Sequence, residues 1–209
     1  MKTLYHQTHD PEAPFFNFCH TLSIRYLRHR DAERLIVEPM TSMGVVLEKQ
    51  TELLGRILDI SMAHPSIVQW VCSALIERIS RDGRRQIRLH DVDAVCHSSD
   101  FYSYYIETVL GASTPLEKVI ALTLDKGSHS LEDIRQRLIS SQVSPSYAEL
   151  RVALEHLELF SVLREVGGRY SFLVTAFPEV AREALDVEAE IEVQREEVYR
   201  YGHPGLPHQ

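Results

Sequence analysis

The sequence predicts a mainly α-helical fold with a small β-hairpin in its C-terminal third, and three observations carry that prediction. Helix-start signals recur along the chain, above all Thr114-Pro115-Leu116-Glu117, where a capping threonine, a first-turn proline and a glutamate three residues on coincide. Apolar residues return at helical spacing over most of the length, as in Leu131, Ile134, Leu138 and Ile139. One pair of alternating runs, Ser161–Val166 and Arg169–Val174, flanks Gly167-Gly168, a two-residue hairpin turn.

In chain order, residues 1–18 read as loop, broken by Asp10-Pro11 and Ala13-Pro14, and Thr21–Ile24 alternates like a strand. A short helix is expected over Leu27–Ile36, ended by Glu38-Pro39-Met40. Another runs from about Leu47 to Met62, with Leu47, Leu54, Ile57 and Leu58 on one side. His64-Pro65-Ser66 breaks the chain and restarts it as a helix to Ser80. Its apolar arc (Ile67, Val68, Val71, Cys72, Leu75, Ile76, Ile79) is wide enough for burial on two sides. Asp82-Gly83 closes that helix, Gln86–Leu89 is extended, and His90-Asp91-Val92 opens a helix to about Val95 or beyond. The helix begun at Pro115 stops at Gly127. A second starts at Ser130, and a third follows Ser144-Pro145, with Tyr147, Leu150, Leu154 and Leu157 inward. Beyond Pro178 the chain is helical and acidic to about Tyr199, with a Gly/Pro-rich tail.

Composition narrows the function classes. The 209 residues are 44% hydrophobic and 25% charged, ordinary for a folded protein, so general disorder is excluded. With 22 lysines and arginines against 30 acids, the net charge of −8 argues against a wholesale basic nucleic-acid binder. No apolar run reaches the roughly 18 residues of a membrane span, and the N-terminus lacks the apolar middle of a signal peptide. Cys19, Cys72 and Cys96 form no C-x-x-C pattern, so a cytoplasmic chain without a disulfide framework is expected. None of the nine glycines is followed by lysine, which removes the P-loop. Gly127-Ser128-His129-Ser130 begins like a nucleophile elbow, but Leu131 stands where its last glycine belongs; Ser130 reads as a helix cap. His6, His9, Cys19 and His20 show no metal-ligand spacing. The expectation is a non-enzymatic chain with no metal or cofactor of its own.

Three short helices followed by a hairpin is the order of a winged helix, a helix-turn-helix variant. The segment Ala63–Ile79, with His64-Pro65-Ser66-Ile67-Val68-Gln69-Trp70-Val71-Cys72, then Arg84–Val95, resembles the helical lid of bacterial P-loop ATPases of the AAA+ and STAND type. In those proteins a G-x-P sequence opens a buried helix. Phe15-Phe16-Asn17-Phe18 through Asp31-Ala32-Glu33-Arg34-Leu35-Ile36 and Pro39-Met40 resembles the stretch after their sensor strand. The resemblance divides the chain into an edge of the ATPase core (1–40), a lid-like domain (41–112), a winged helix (113–176) and an acidic helix with a tail (177–209). It departs from the pattern at Ala63, where the first glycine belongs, and the core with its Walker A lysine and Walker B acids is missing. What it implies is a regulatory piece of a longer ATPase, or a stand-alone remnant, with Pro65 against the adenine. ATP and magnesium would be bound only by the full-length parent, and the winged helix would pass on a domain rotation.

Two partner classes follow for the winged helix. Between Leu116 and Ala176 eight acids face seven bases, and the third helix sets Arg151 and His156 against Glu149, Glu155 and Glu158. That balance favours a protein partner, or the missing ATPase core; weak DNA binding is the alternative, with Arg164 and Arg169 of the hairpin on phosphates. Val180, Ala184, Val187, Ile191, Gln194 and Val198 alternate by four and three, a heptad seam within a segment of net charge −5. The seam either lies back on the winged helix or pairs with another helix through Val187, Ile191 and Val198, in a weak homodimer or in the parent protein.

Overall fold

The computed structural model describes residues 26–201, with ten helices and five short strands among them. The 1–18 loop, the Thr21–Ile24 strand, His6, His9, Cys19, His20 and the Gly/Pro-rich tail lie outside the described residues. The N-terminal half comprises α1 (His29–Ser42), β1 (Val46–Leu47), α2 (Gln50–Ser61), α3 (Pro65–Arg81), β2 (Gln86–Ile87), α4 (Leu89–Cys96) and α5 (Ser99–Leu110). The C-terminal half comprises α6 (Pro115–Thr123), β3 (His129–Ser130), α7 (Leu131–Ser140), α8 (Tyr147–Leu159), β4 (Leu163–Val166), β5 (Arg169–Phe172), α9 (Phe177–Ala184) and α10 (Val187–Tyr201).

In the first half α3 is the axis, and α1, α2, α4 and α5 all pack on it. Ile67, Val68, Val71, Leu75 and Ile79 are buried, whereas Cys72 and Ile76 are only half-buried. Strands β1 and β2 pair in parallel, Val46 opposite Gln86 and Leu47 opposite Ile87. Leu47 is thus a strand residue, and the helix expected to begin there starts at Gln50, because its backbone is taken by the ladder. Nor does Pro39 end α1. The ring removes one backbone donor, but Met40, 1% exposed, draws the final turn into the core and accepts the Val45 N–H at 2.9 Å. The boundary placed after residue 40 therefore falls inside α1, whose Ala32, Ile36 and Met40 share one core with α2 and α3. Helix α5 had no counterpart in the sequence reading.

Capping decides where the helices of the second half begin. Thr114, Ser130 and Ser146 each accept an N–H three residues on, and Glu117, Asp133 and Glu149 each return the bond. The third helix starts two residues later than expected, because Ser146 rather than Ser144 provides the cap. The hairpin turns at Gly167 (φ 62) and Gly168 (φ 77), both left-handed as a two-residue hairpin turn requires. Strand β3 adds to β5, giving an antiparallel sheet of order β3-β5-β4. Tyr147 is 50% exposed rather than inward: its ring lies under the Arg135 guanidinium and its hydroxyl donates to Glu132. The C-terminal helix is two helices. Leu185 is extended, and the Asp186 carboxylate accepts the Ala189 N–H at 3.2 Å to restart the chain.

Asp91, fully buried at the start of α4, ties the first half together. It accepts two bonds from Arg84 at 2.8 and 3.0 Å, one from Arg78 at 3.0 Å and the Arg88 N–H at 3.0 Å. Arg84 above all holds its carboxyl well below the usual carboxylate range. Asp91→Asn keeps the shape and loses the charge, and should cost about 2 kcal/mol at neutral pH. Since the folded carboxyl titrates below the unfolded one, this stability is complete above about pH 4 and is lost as the pH falls from there towards the folded value. Urea titrations of both proteins should show the gap narrowing on acidification; a gap constant down to about pH 3 would refute the assignment.

Candidate functional site

Pro65 is the first residue of α3 and lines an open cleft of about 390 Å³ with Leu27, Asp31, Arg34, Leu35, Glu38 and Gln69. The turn leading into it is unusual. Met62 (φ 47) and Ala63 (φ 57) are consecutive left-handed residues, neither of them glycine, before His64 returns to extended backbone. Ala63 occupies the position of the first glycine in G-x-P, and its backbone has a conformation that glycine adopts without strain. The Ala63 carbonyl accepts the Leu27 N–H at 3.1 Å, which brings Leu27 beside Pro65. Leu27, Leu35 and Pro65 form an apolar wall and Gln69 offers an amide. Arg34 donates to Glu38 at 2.8 Å, so its charge is already matched and the cleft has no cation free for phosphates among its lining residues.

Behind the cleft the same turn is packed inward. The Tyr26 ring stands edge-on to His64 with centroids 5.1 Å apart, and its hydroxyl donates to the Ser161 carbonyl at 2.7 Å. Burial lowers the His64 pKa, and its Nδ1 has no partner among the described residues. Trp70 stacks on Tyr104, whose hydroxyl reaches the Ser66 carbonyl at 3.4 Å.

The second candidate surface is the outer face of α8 with the hairpin. His156, expected there as a contact residue, is not on it. It is buried, with Nδ1 2.9 Å from Glu117 Oε1 of α6. Helical periodicity then turns Arg151, Glu155 and Glu158 outward, while Glu149 is engaged in its cap. Arg164 is exposed and donates across the hairpin to Ser171 at 3.3 Å. Arg169 is drawn sideways onto the Ser128 carbonyl and hydroxyl, with Asp133 at 3.8 Å. Burial, then Glu165 and Glu158, raises the Tyr170 pKa, so the face around this phenol is acidic. Of the four expected contacts, Arg151 faces outward from α8, Arg164 is exposed but tied to Ser171 within the hairpin, Arg169 is held by Ser128, and His156 is buried.

The third is α10, which packs along α6. Val187, Ile191 and Val198 are half-buried against the core and Gln194 is 6% exposed, so the seam proposed for another helix is turned onto this chain. Arg195 donates to the Gln142 side chain at 2.9 Å and Tyr199 to its carbonyl at 2.7 Å. Val180, counted in the same seam, belongs to α9 instead.

Comparison with family models, with curated proteins and with solved structures finds no match. Among the described residues, no group of three or more histidines, cysteines and acids is placed to hold a metal ion.

Two expectations follow from these geometries. Ala63→Gly removes a left-handed alanine and should stabilise the fold by about 0.5–1 kcal/mol, the strain relieved less the extra entropy of glycine. A lower melting temperature in scanning calorimetry would contradict the strain argument. Ile191→Asp puts a carboxylate between α10 and α6, and should cost about 2 kcal/mol at every protein concentration. Equilibrium unfolding at two concentrations a hundredfold apart checks it; a loss seen only at the higher one would place Ile191 between chains.

Proposed function

We propose that this chain is a non-catalytic regulatory segment of a signal-transducing P-loop ATPase. In this reading the first half is the helical lid, the second a winged helix used for protein contact, and the turn between α2 and α3 lies on the nucleotide side. The observation that carries it is Ala63, left-handed one residue before His64-Pro65, with Pro65 forming the wall of an apolar cleft. The sequence departs from G-x-P at this residue, yet the backbone there is left-handed, a conformation that glycine adopts without strain. Helix, strand, two helices and hairpin, with sheet order β3-β5-β4, support the winged-helix reading of residues 113–176. The lid supplies an apolar face for a base and no phosphate cradle, and a bound nucleotide can shift the winged helix only by touching its two positions unequally.

DNA binding is the second reading, and the charge of α8 decides against ranking it first. A helix entering the major groove presents its exposed face to phosphates, and here that face carries Glu155 and Glu158 beside Arg151. A protein partner with basic groups meets the same face favourably.

The test compares ligands. Adenosine and Mg-ATP should bind this chain alike and weakly, in the millimolar range, moving amide resonances of Leu27, Ser66 and Gln69. Calorimetry giving Mg-ATP a dissociation constant below roughly 10 μM, about −7 kcal/mol, would overturn the reading. A gel shift with nanomolar, sequence-specific binding at physiological salt would replace the protein-contact reading with the DNA one.

A further inference from the structure

The geometry points to Tyr26 as a latch that holds the C-terminal half closed against the N-terminal helices, hinged at the α5–α6 connection. The helices of the two halves pack on each other chiefly through α5 against α9. An open cleft lies on each side of that contact. One, of about 220 Å³, lies among Arg56, Ile60, Cys96, Val180 and Glu183; the other, of about 260 Å³, among Leu110, Gly111, Lys118, Leu122 and Leu185. The halves therefore meet along a ridge, and a ridge with space on both sides permits turning where a filled interface would resist it.

The chain crosses between the halves at Gly111-Ala112-Ser113, directly before the Thr114 cap of α6. A side chain at position 111 would collide with the Glu107 carbonyl, so the α5 end of the hinge is kept bare. Tyr26 bridges the two halves: its hydroxyl, on the residue before Leu27 and α1, donates to the carbonyl of Ser161, just past the end of α8. Both anchor points are strained. Ser161 has φ 59, and the turn against which Tyr26 packs has φ 47 at Met62 and φ 57 at Ala63. Three left-handed residues without a glycine among them cost of order 1 kcal/mol each, and the turns that hold them give Tyr26 fixed points to bridge. The Thr175 hydroxyl, 3.5 Å from the Met62 sulfur, ties the same turn to the second half.

Sequence adjacency connects this latch to the cleft. Pro65 follows His64, and Ala63 holds Leu27, the residue after Tyr26. Whatever shifts Pro65 shifts the support of the Tyr26 ring. That direction of signalling rests on the lid reading above, whereas the latch requires no nucleotide and is tested without one.

Single-molecule energy transfer is measured between dyes on cysteines introduced at Arg30 and Val166, both exposed. The background is a chain whose own three cysteines are alanine. It should visit a low-transfer state rarely, and Tyr26→Phe should raise the fraction of time spent there about five-fold, the worth of one buried hydrogen bond. Amide exchange at Leu163 and Phe172, within the hairpin, should not change. Absence of a low-transfer state in both proteins, or an unchanged fraction in Tyr26→Phe, would overturn the latch. So would faster hairpin exchange, which would make Tyr26 a strut of the second half's own fold.

Discussion

A carboxylate without solvent contact has to be satisfied entirely by its neighbours, and Glu117 is fully buried at the start of α6. One oxygen accepts the Thr114 N–H at 2.9 Å and closes the capping box; the other lies 2.9 Å from His156 of α8. Much of the C-terminal half follows from this pairing. With His156 facing α6, helical geometry sends Leu150, Ala153, Leu154 and Leu157 into the core and leaves Arg151, Glu155 and Glu158 outside. The outer face of α8 is thus set by a buried contact on its inner face. Removing either member would take a close buried partner from the other, a larger loss than the pair's own net contribution.

Asp91 repeats the device in the first half. It too is a buried acid in the first turn of its helix, it accepts a backbone N–H of its own cap, and its remaining capacity is filled by Arg84 and Arg78. Each half thereby has an internal polar anchor that fixes helix starts as firmly as apolar packing fixes their faces. Among the described residues, the joint between the halves has no buried acid of this kind. It relies on the α5–α9 ridge and on single bonds such as Tyr26 to Ser161. Two stiff bodies with a lightly tied joint are what a conformational relay requires, since strain at a soft joint becomes rotation and strain in a stiff one is absorbed.

What the sequence made legible was local. The boxes Thr114-x-x-Glu117 and Ser130-x-x-Asp133, Pro65 in a first turn and Gly167-Gly168 each act within four residues, and all hold. What it concealed depends on distant partners. His156 read as a contact residue because the acid that buries it lies 39 positions away. Pro39 read as a stop because its local cost is visible, while the burial of Met40 that offsets it is tertiary. Helix α5 carried a readable signal, the Ser98 cap with Phe101, Tyr105 and Val109 at every fourth position, but its aromatic run has weak helix propensity. The left-handed residues Met62, Ala63 and Ser161 had no signal at all, since none is glycine or asparagine. At the cleft, Pro65 was visible in the sequence; Tyr26 and Gln69, which give its setting meaning, were not.

The acidic surface bears on the partner in kinetics more than in affinity. Exposed carboxylates cover the outer face of α8 at Glu155 and Glu158, and α10 adds Glu188, Glu192 and Glu196. Individually such charges contribute little to a bound state, because water and salt screen them beyond about 10 Å. Their sum still sets the field a diffusing partner meets, and at a net charge of −8 that field repels nucleic acid and draws in basic protein surfaces. For the basic protein partner proposed above, salt should slow association while leaving dissociation almost untouched, because contacts inside the screening length hold such a complex. Apolar anchors would set residence time, and the exposed Val166 at the hairpin tip is the side chain placed to serve as one.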